Sequence, residues 1–129
     1  MMAIKLIRQL KPDFSDSRGE IFKILDDGKT KIKSVLLITC KKGAIRANHF
    51  HKKDSHFTYM LSGSMEYFEE PLSGGKKGSV IIKKGDLLYT PPKVKHAMHF
   101  LEESVFLALS PKSRNHEDYE KDTVRVKLI

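Results

Sequence analysis

The chain has 129 residues, 40% of them apolar, and a formal net charge of +8 from 24 Lys and Arg against 16 Asp and Glu. This length suits one domain with a sizeable core, and a single cysteine excludes a disulfide framework or a thiolate-rich zinc module. The basic residues are mostly lysines interspersed with acidic residues, without an Arg-rich arm or stacking motif, so we expect no nucleic-acid partner. No apolar run approaches the roughly 18 residues of a membrane span, and no secretory signal is evident. We therefore expect a cytoplasmic protein without a membrane partner.

Short apolar or β-branched segments bounded by turn residues predict about ten strands. Ser62-Gly63-Ser64 predicts a tight hairpin turn between two of them. No window of a dozen residues keeps a helical period, and residues 114–121 favour one helical turn at most. This pattern indicates an all-β sandwich or barrel formed by residues 1–129 as one domain. In chain order the main predicted strands are 21–25, 34–40, 57–61, 65–68, 80–82, 87–89, 96–101, 105–109 and 123–128.

Four of the six histidines are placed so that strands can bring their side chains together. His49 and His51 are two residues apart, which puts both imidazoles on one face of a strand. His56 begins the next strand after a polar turn, and an antiparallel return brings it towards the same face. His96 enters a later strand after a Pro-Pro turn, whereas His99 lies on the opposite face of that strand. These four histidines are candidate metal ligands.

The residues around the first three histidines resemble the first motif of the cupin superfamily. That motif is Gly, five residues, His-x-His, three or four residues, Glu, six residues and Gly. Gly43, His49, His51, His56 and Gly63 fit its spacing, with His56 in place of the usual Glu.

A second cupin motif follows about thirty residues later. It reads Gly, five residues, Pro-x-Gly, two residues, His, three residues and Asn. Gly85, Pro91 and His96 fit in register, whereas Lys93 replaces the Gly and Phe100 replaces the Asn. The resemblance implies a single-domain cupin, a jelly-roll β-barrel of the RmlC-like type.

The resemblance further implies that His49, His51, His56 and His96 point into the barrel and hold one divalent transition metal. Four neutral imidazoles suit zinc, nickel, iron, copper or cobalt, whereas magnesium and calcium prefer oxygen ligands. Histidines that bind no metal are the alternative.

Two stretches resemble a narrower branch, the cupins that act on nucleotide-linked keto-deoxysugars. Asp16-Ser17-Arg18-Gly19 is similar to the D-x-R-G signature of the dTDP-4-keto-6-deoxyhexose 3,5-epimerases and 3,4-ketoisomerases, and residues 46–52 are similar to the ketoisomerase segment R-G-x-H-x-H-K. The resemblance implies an isomerase or epimerase in which His49 is the base, assisted by His51. It implies that Arg46 and Arg18 contact the substrate, and we add Lys52 as a candidate phosphate contact.

The sequence departs from this branch at two places. Ala47 replaces the family Gly, and the complete histidine set is of a metal-binding type, although the related sugar cupins work without metal. If His49 binds a metal, another group must be the base, and the candidates are Tyr59, Tyr67 and Tyr89.

Two alternatives to this isomerase remain open. One is a metal-dependent cupin with other chemistry, such as a dioxygenase or a sugar or sugar-phosphate isomerase. The other is a small-molecule-binding cupin without turnover. By resemblance to small cupins we expect a homodimer that covers exposed sheet edges.

Overall fold

The computed structural model describes residues 4–129, and within them the chain forms twelve strands and one short helix. The strands are β1 (Lys5–Ile7), β2 (Phe14–Asp16), β3 (Gly19–Ile21), β4 (Ser34–Cys40), β5 (Ile45–His51), β6 (His56–Ser62), β7 (Ser64–Pro71), β8 (Gly78–Lys83), β9 (Leu87–Thr90), β10 (Val94–Phe100), β11 (Ser104–Ser110) and β12 (Thr123–Arg125). The helix α1 (His116–Asp122) precedes β12. No helix within residues 4–129 has the length and apolar content that a membrane crossing requires.

Two five-stranded antiparallel sheets form the jelly roll. One sheet has the order β1-β9-β6-β11-β4 and the other has the order β12-β5-β10-β7-β8, whereas β2 and β3 pair only with each other. The inner faces carry the core because alternate residues of each strand point inwards. In β11, for example, Phe106 and Ala108 are buried between half-exposed neighbours. Phe106 stacks on Phe100 from the facing sheet, with ring centroids 5.9 Å apart.

The all-β prediction is confirmed, and most predicted strands lie within one to three residues of the observed ones. The predicted strand over 21–25 is wrong beyond Ile21, where β3 ends. The last strand ends at Arg125 rather than at residue 128. The tail after it is held by Asn48, whose Oδ1 accepts the backbone N–H groups of Leu128 and Ile129. The helix α1 is also longer than the single turn expected. Asn115 caps its first turn and so stabilises its start.

Candidate functional site

Four histidine rings converge inside the barrel. His49 and His51 come from β5, His56 from the start of β6 and His96 from β10, and all four are at least nine-tenths buried. Ring centroids are 4.6 Å apart for His49 and His51, 4.7 Å for His49 and His96, and 5.3 Å for His56 and His96. The four histidines selected from the sequence are therefore brought together.

A β-bulge sets the direction of the first two imidazoles. His96 pairs with His49, but the next residue, Ala97, pairs with Ala47, so Asn48 is left over. Ala47 and Asn48 have φ of 69° and 54°, in the left-handed region where a side chain is strained. The family Gly that Ala47 replaces would adopt this backbone without strain. Beyond the bulge β5 is regular, and His49 and His51 face the same side.

Hydrogen bonds at Nδ1 fix the tautomers of two of the rings. His96 Nδ1 lies 3.1 Å from the carbonyl oxygen of Val94, which can only accept, so Nδ1 donates. Its Nε2 then carries a lone pair, and this buried atom has no partner among the described residues. His51 Nδ1 lies 3.3 Å from Thr123 Oγ1, whose own proton goes to the carbonyl oxygen of Tyr119. His51 therefore also presents Nε2 as an acceptor.

Burial keeps the cluster uncharged at neutral pH. Desolvation, together with the neighbouring His96 and His51, lowers the pKa of His49 to about 3. Desolvation lowers the pKa of His96 to about 4 and that of His56 well below its usual value. Burial also lowers the pKa of His51, but Asp54 and Asp122 oppose the effect. The site therefore offers neutral imidazoles, the form that accepts a proton or binds a metal.

The donor set fits a transition metal. One ring nitrogen from each of His49, His51 and His96 lies within 4.8 Å of the other two, and His56 adds a fourth ring beside them. The unpartnered Nε2 of His96 is oriented and desolvated as a ligand atom has to be. The geometry therefore brings three of the four expected imidazoles within the spacing of a metal site, with the ring of His56 next to that of His96.

A cavity of about 120 Å³ lies over the histidines. Its walls combine apolar side chains with two arginines, Arg46 and Arg114, and one tyrosine, Tyr119. Arg46 is fixed by hydrogen bonds to Cys40 Sγ and to the carbonyl oxygen of Thr39. The guanidinium of Arg114 lies 4.1 Å from the centre of the Tyr119 ring, a cation–π contact. Arg46 is thus at the site, as expected.

The other two expected substrate contacts lie elsewhere in the single chain. Arg18 is in the β2–β3 hairpin with its side chain 84% exposed, where it binds Asp16 and does not line the cavity. Lys52 lines a neighbouring pocket rather than the histidine cavity.

The three tyrosines considered as alternative bases are also outside this cavity. Tyr59 and Tyr89 lie half-exposed on the outer face of their sheet. Tyr67 is fully buried, and its hydroxyl is hydrogen-bonded to Glu69 and Thr90. Burial, with Glu69, raises the pKa of Tyr67 well above its usual value, so it is a poor base.

Sequence reasoning missed Arg114, Tyr119 and Asp122 as individual site residues. They lie 18 or more residues beyond His96, and the pairing of β12 with β5 brings them to the site. Asp122 Oδ2 lies 3.7 Å from His51 Nδ1. The signal in the sequence is that residues 109–114 and 119–123 resemble the ends of sugar cupins, and this resemblance assigns no role to any single residue.

Comparison with known proteins agrees with this geometry. The family profile for the cupin domain matches residues 36–110. A search of curated proteins found no match. Among solved structures, a double mutant of the 3,4-ketoisomerase from Thermoanaerobacterium thermosaccharolyticum in complex with TDP is 26% identical, with a TM-score of 0.75 over 95% of this chain and 86% of that one.

Two further structures share the fold at lower identity. A 3,4-ketoisomerase from Helicobacter canadensis is 22% identical, with a TM-score of 0.78 over 97% of this chain and 92% of its own. The epimerase RmlC from Legionella pneumophila is 14% identical, with a TM-score of 0.78 over 98% and 73%. The structural neighbours are thus ketoisomerases and 3,5-epimerases of the sugar-nucleotide branch, and with a profile match over more than half of its length this chain belongs to the cupin family.

Proposed function

We propose that the protein is an isomerase or epimerase of a nucleotide-linked keto-deoxysugar that works by proton transfer next to a carbonyl. The observation that carries this proposal is a buried set of neutral imidazoles beside two arginines, in a barrel that aligns over nearly its whole length with sugar 3,4-ketoisomerases. Solved relatives include complexes with TDP and with TDP-4-keto-6-deoxyglucose.

The chemistry follows from the groups that line the cavity. A neutral imidazole takes the proton from the carbon next to the carbonyl, and the electron pair moves onto the carbonyl oxygen to form an enediolate. Arg46 and Arg114 supply positive charge for that oxygen. The imidazolium then returns the proton to the former carbonyl carbon, while the proton of the neighbouring hydroxyl passes to the former carbonyl oxygen, so that the hydroxyl becomes the new carbonyl and the old carbonyl becomes a hydroxyl. An epimerase instead returns the proton to the opposite face of the same carbon.

Two histidines are candidates for the base. His49 has this role in the resemblance stated above, and its imidazole is neutral at pH 7 because burial lowers its pKa to about 3. His51 has carboxylates beside it, and Asp54 and Asp122 favour its protonated form. On the resemblance we assign proton removal to His49, and we assign stabilisation of the transferred proton to His51, whose neighbouring carboxylates favour its protonated form.

A metal proposal concerns the same four histidines. We propose that His49, His51, His56 and His96 together hold one divalent transition ion. The proposal is supported by the ring nitrogens of His49, His51 and His96, which lie within 4.8 Å of one another, by the His56 ring 5.3 Å from that of His96, and by the unpartnered His96 Nε2. Such an ion, when bound, would supply Lewis-acid polarisation of a carbonyl oxygen. The spacing of the ring nitrogens also favours the second candidate function, a metal-dependent cupin with other chemistry, because a His49 that binds a metal is no longer a free base.

Metal content tests this second proposal. We expect purified protein to carry close to one transition ion per chain by mass spectrometry, and its melting temperature to fall on chelation. His96→Gln should lose the ion, whereas the control His99→Gln, on the opposite face of β10, should keep it. Protein without metal, and without a thermal response to added ions, contradicts the metal proposal.

We further propose a homodimer. The outer face of the edge strand β4 exposes Val35 and Leu37 by 61% and 64%, and the β2–β3 hairpin exposes Phe14 and Ile21. Exposed apolar side chains on an edge strand favour an interface with a second copy of the chain. Sedimentation velocity tests this: the expected species has twice the chain mass, and Leu37→Glu should shift it to the monomer.

The activity is tested by incubating the protein with TDP-4-keto-6-deoxyglucose and following the sugar by NMR. We expect a new keto-sugar isomer to appear with wild type and with His99→Asn. His49→Asn should lose turnover by about 10²-fold or more and keep its affinity for TDP. If no TDP- or UDP-linked sugar is converted or changes the melting temperature, the sugar-nucleotide proposal is wrong and the metal-dependent alternative is preferred.

A further inference from the structure

A second pocket lies next to the histidine cavity. It has a volume of about 470 Å³, is open to solvent, and shares one wall residue with the histidine cavity, Tyr119. Ligand pockets usually measure roughly 300–1,000 Å³, so the histidine cavity of about 120 Å³ is small for a whole ligand and the second pocket is not. Tyr119 is the point where the two meet.

Lysines from three separate segments converge on this second pocket, which we call the lysine pocket. Lys52 and Lys53 come from the β5–β6 turn, Lys112 from the segment after β11, and Lys121 from α1. Lys121 pairs with Glu117. Within residues 4–129, Lys52, Lys53 and Lys112 form no ion pair within 4.0 Å.

The wall of the lysine pocket keeps a net positive charge, because its four lysines outnumber its three aspartates, and two of those aspartates are hydrogen-bonded to backbone or hydroxyl donors. Asp122 accepts the backbone N–H groups of Lys53 and Asp54. Asp54 is 5% exposed and accepts from the hydroxyl of Ser110, which in turn accepts the N–H of Lys112. Asp118 is the third wall carboxylate. The carboxylates thus hold the backbone under Lys53 and Lys112 in place and leave their ammonium groups available.

We propose that the lysine pocket is an anion subsite that takes a diphosphate group, with Lys52, Lys53 and Lys112 as its contacts. The diphosphate has two possible sources. One is the diphosphate group of the sugar nucleotide, reaching past Tyr119 from the histidine cavity, and this source rests on the proposed function. The other is a separate phosphorylated small molecule. Ammonium groups bind phosphate oxygens through charge-assisted hydrogen bonds, and both sources present the same oxygens.

Calorimetric titration with inorganic pyrophosphate tests the subsite without requiring turnover. The test variant combines Lys53→Met with Lys112→Met, and the matched control combines Lys41→Met with Lys42→Met, two exposed lysines outside the lysine pocket. We expect the test variant to lose about tenfold or more in affinity, and the control to stay within about twofold of wild type. Equal affinity in both variants, or no binding to wild type, overturns the proposal.

The salt dependence of binding gives a second readout that does not depend on the size of the loss. Added salt should weaken pyrophosphate binding to wild type more steeply than to the test variant. Equal salt dependence in the two proteins overturns the proposal.

A competition experiment identifies the source of the diphosphate. If saturating TDP blocks pyrophosphate, the subsite takes the diphosphate of the nucleotide; if pyrophosphate still binds, the subsite takes a separate phosphorylated ligand. Lysine-dependent binding in a protein that converts no sugar nucleotide refutes the proposed function alone. Sugar turnover with unchanged pyrophosphate binding in the test variant refutes the subsite alone.

Discussion

Replacing Gly63 by alanine should destabilise the barrel far more than the same change at Gly43. The two glycines begin and end the first cupin motif, and their φ angles are nearly identical, 86° for Gly43 and 84° for Gly63. A Cβ at Gly63 would lie 2.5 Å from the carbonyl oxygen of Glu103 and 2.7 Å from Ser104 Cα, and closer still to Ser104 Oγ. A Cβ at Gly43 has no atom within 4 Å.

The size of each loss follows from treating the left-handed backbone conformation and the steric overlap of the new Cβ separately. A side chain in the left-handed region costs about 1–2 kcal/mol, and the more restricted unfolded chain returns about 0.4–1 kcal/mol. Gly43→Ala should therefore lower the free energy of unfolding by about 1 kcal/mol. Gly63→Ala adds an overlap with backbone, which costs a further roughly 1–3 kcal/mol. We expect a total loss of about 2–4 kcal/mol, because the start of β11 has to move.

Urea denaturation of the two variants measures this difference, and thermal unfolding repeats it at about 4 °C per kcal/mol for a domain of this size. The expected order of stability is wild type, then Gly43→Ala, then Gly63→Ala. Equal losses in the two variants would refute the argument, since they would show that backbone conformation alone, and not the close approach of the Glu103–Ser104 backbone, requires glycine at position 63.

Three further predictions concern His96, Ala47 and Tyr67. In metal-free protein, His96 is neutral when folded down to about pH 4 and protonated below about pH 6.5 when unfolded, so stability falls as pH falls through this window. At pH 5 the loss in the free energy of unfolding is about 2 kcal/mol. In denaturation series from pH 7 to 5, His96→Gln should weaken the dependence of stability on pH, whereas the control His99→Gln should retain it. Ala47→Gly should raise the free energy of unfolding by about 0.5–1 kcal/mol by relieving the left-handed backbone; a loss in urea denaturation would contradict this. Tyr67→Phe should cost about 1–3 kcal/mol, because two buried partners lose their hydrogen bond, whereas Tyr59→Phe on the outer face should cost less than about 0.5 kcal/mol; equal costs would refute the role of the buried hydroxyl.

The sequence predicted the strands and the histidine cluster because both depend on local rules. Period-two burial and turn residues fix β4 and β11, and the two-residue spacing of His49 and His51 fixes their shared face. Glycine positions of the family motifs coincide with left-handed backbone in the structure, as Gly43, Gly63 and Gly85 show. Ala47 and Lys93 occupy two of these positions and keep positive φ, so neighbouring contacts impose a conformation that the residues themselves disfavour.

The residues around the histidine cluster could not be predicted from neighbouring positions in the sequence, because they depend on how the C-terminal segment pairs with β5. Thr123 pairs with His51 and Arg125 with His49, across more than seventy residues of sequence, and this pairing carries Tyr119 and Asp122 to the site. Histidine spacing predicts the ligands, but it does not indicate which hydroxyl or carboxylate lies behind each ring.

The central claim is that the histidine cluster moves a proton next to a sugar carbonyl. Exchange in heavy water with TDP-4-keto-6-deoxyglucose tests it most directly, because solvent deuterium enters the carbon skeleton only if a carbon–hydrogen bond is broken at the site. NMR should show deuterium on the carbon beside the carbonyl with wild type, and none above background with His49→Asn that still binds TDP. Deuterium-free sugar after prolonged incubation with wild type, with and without added transition metal, would contradict the account.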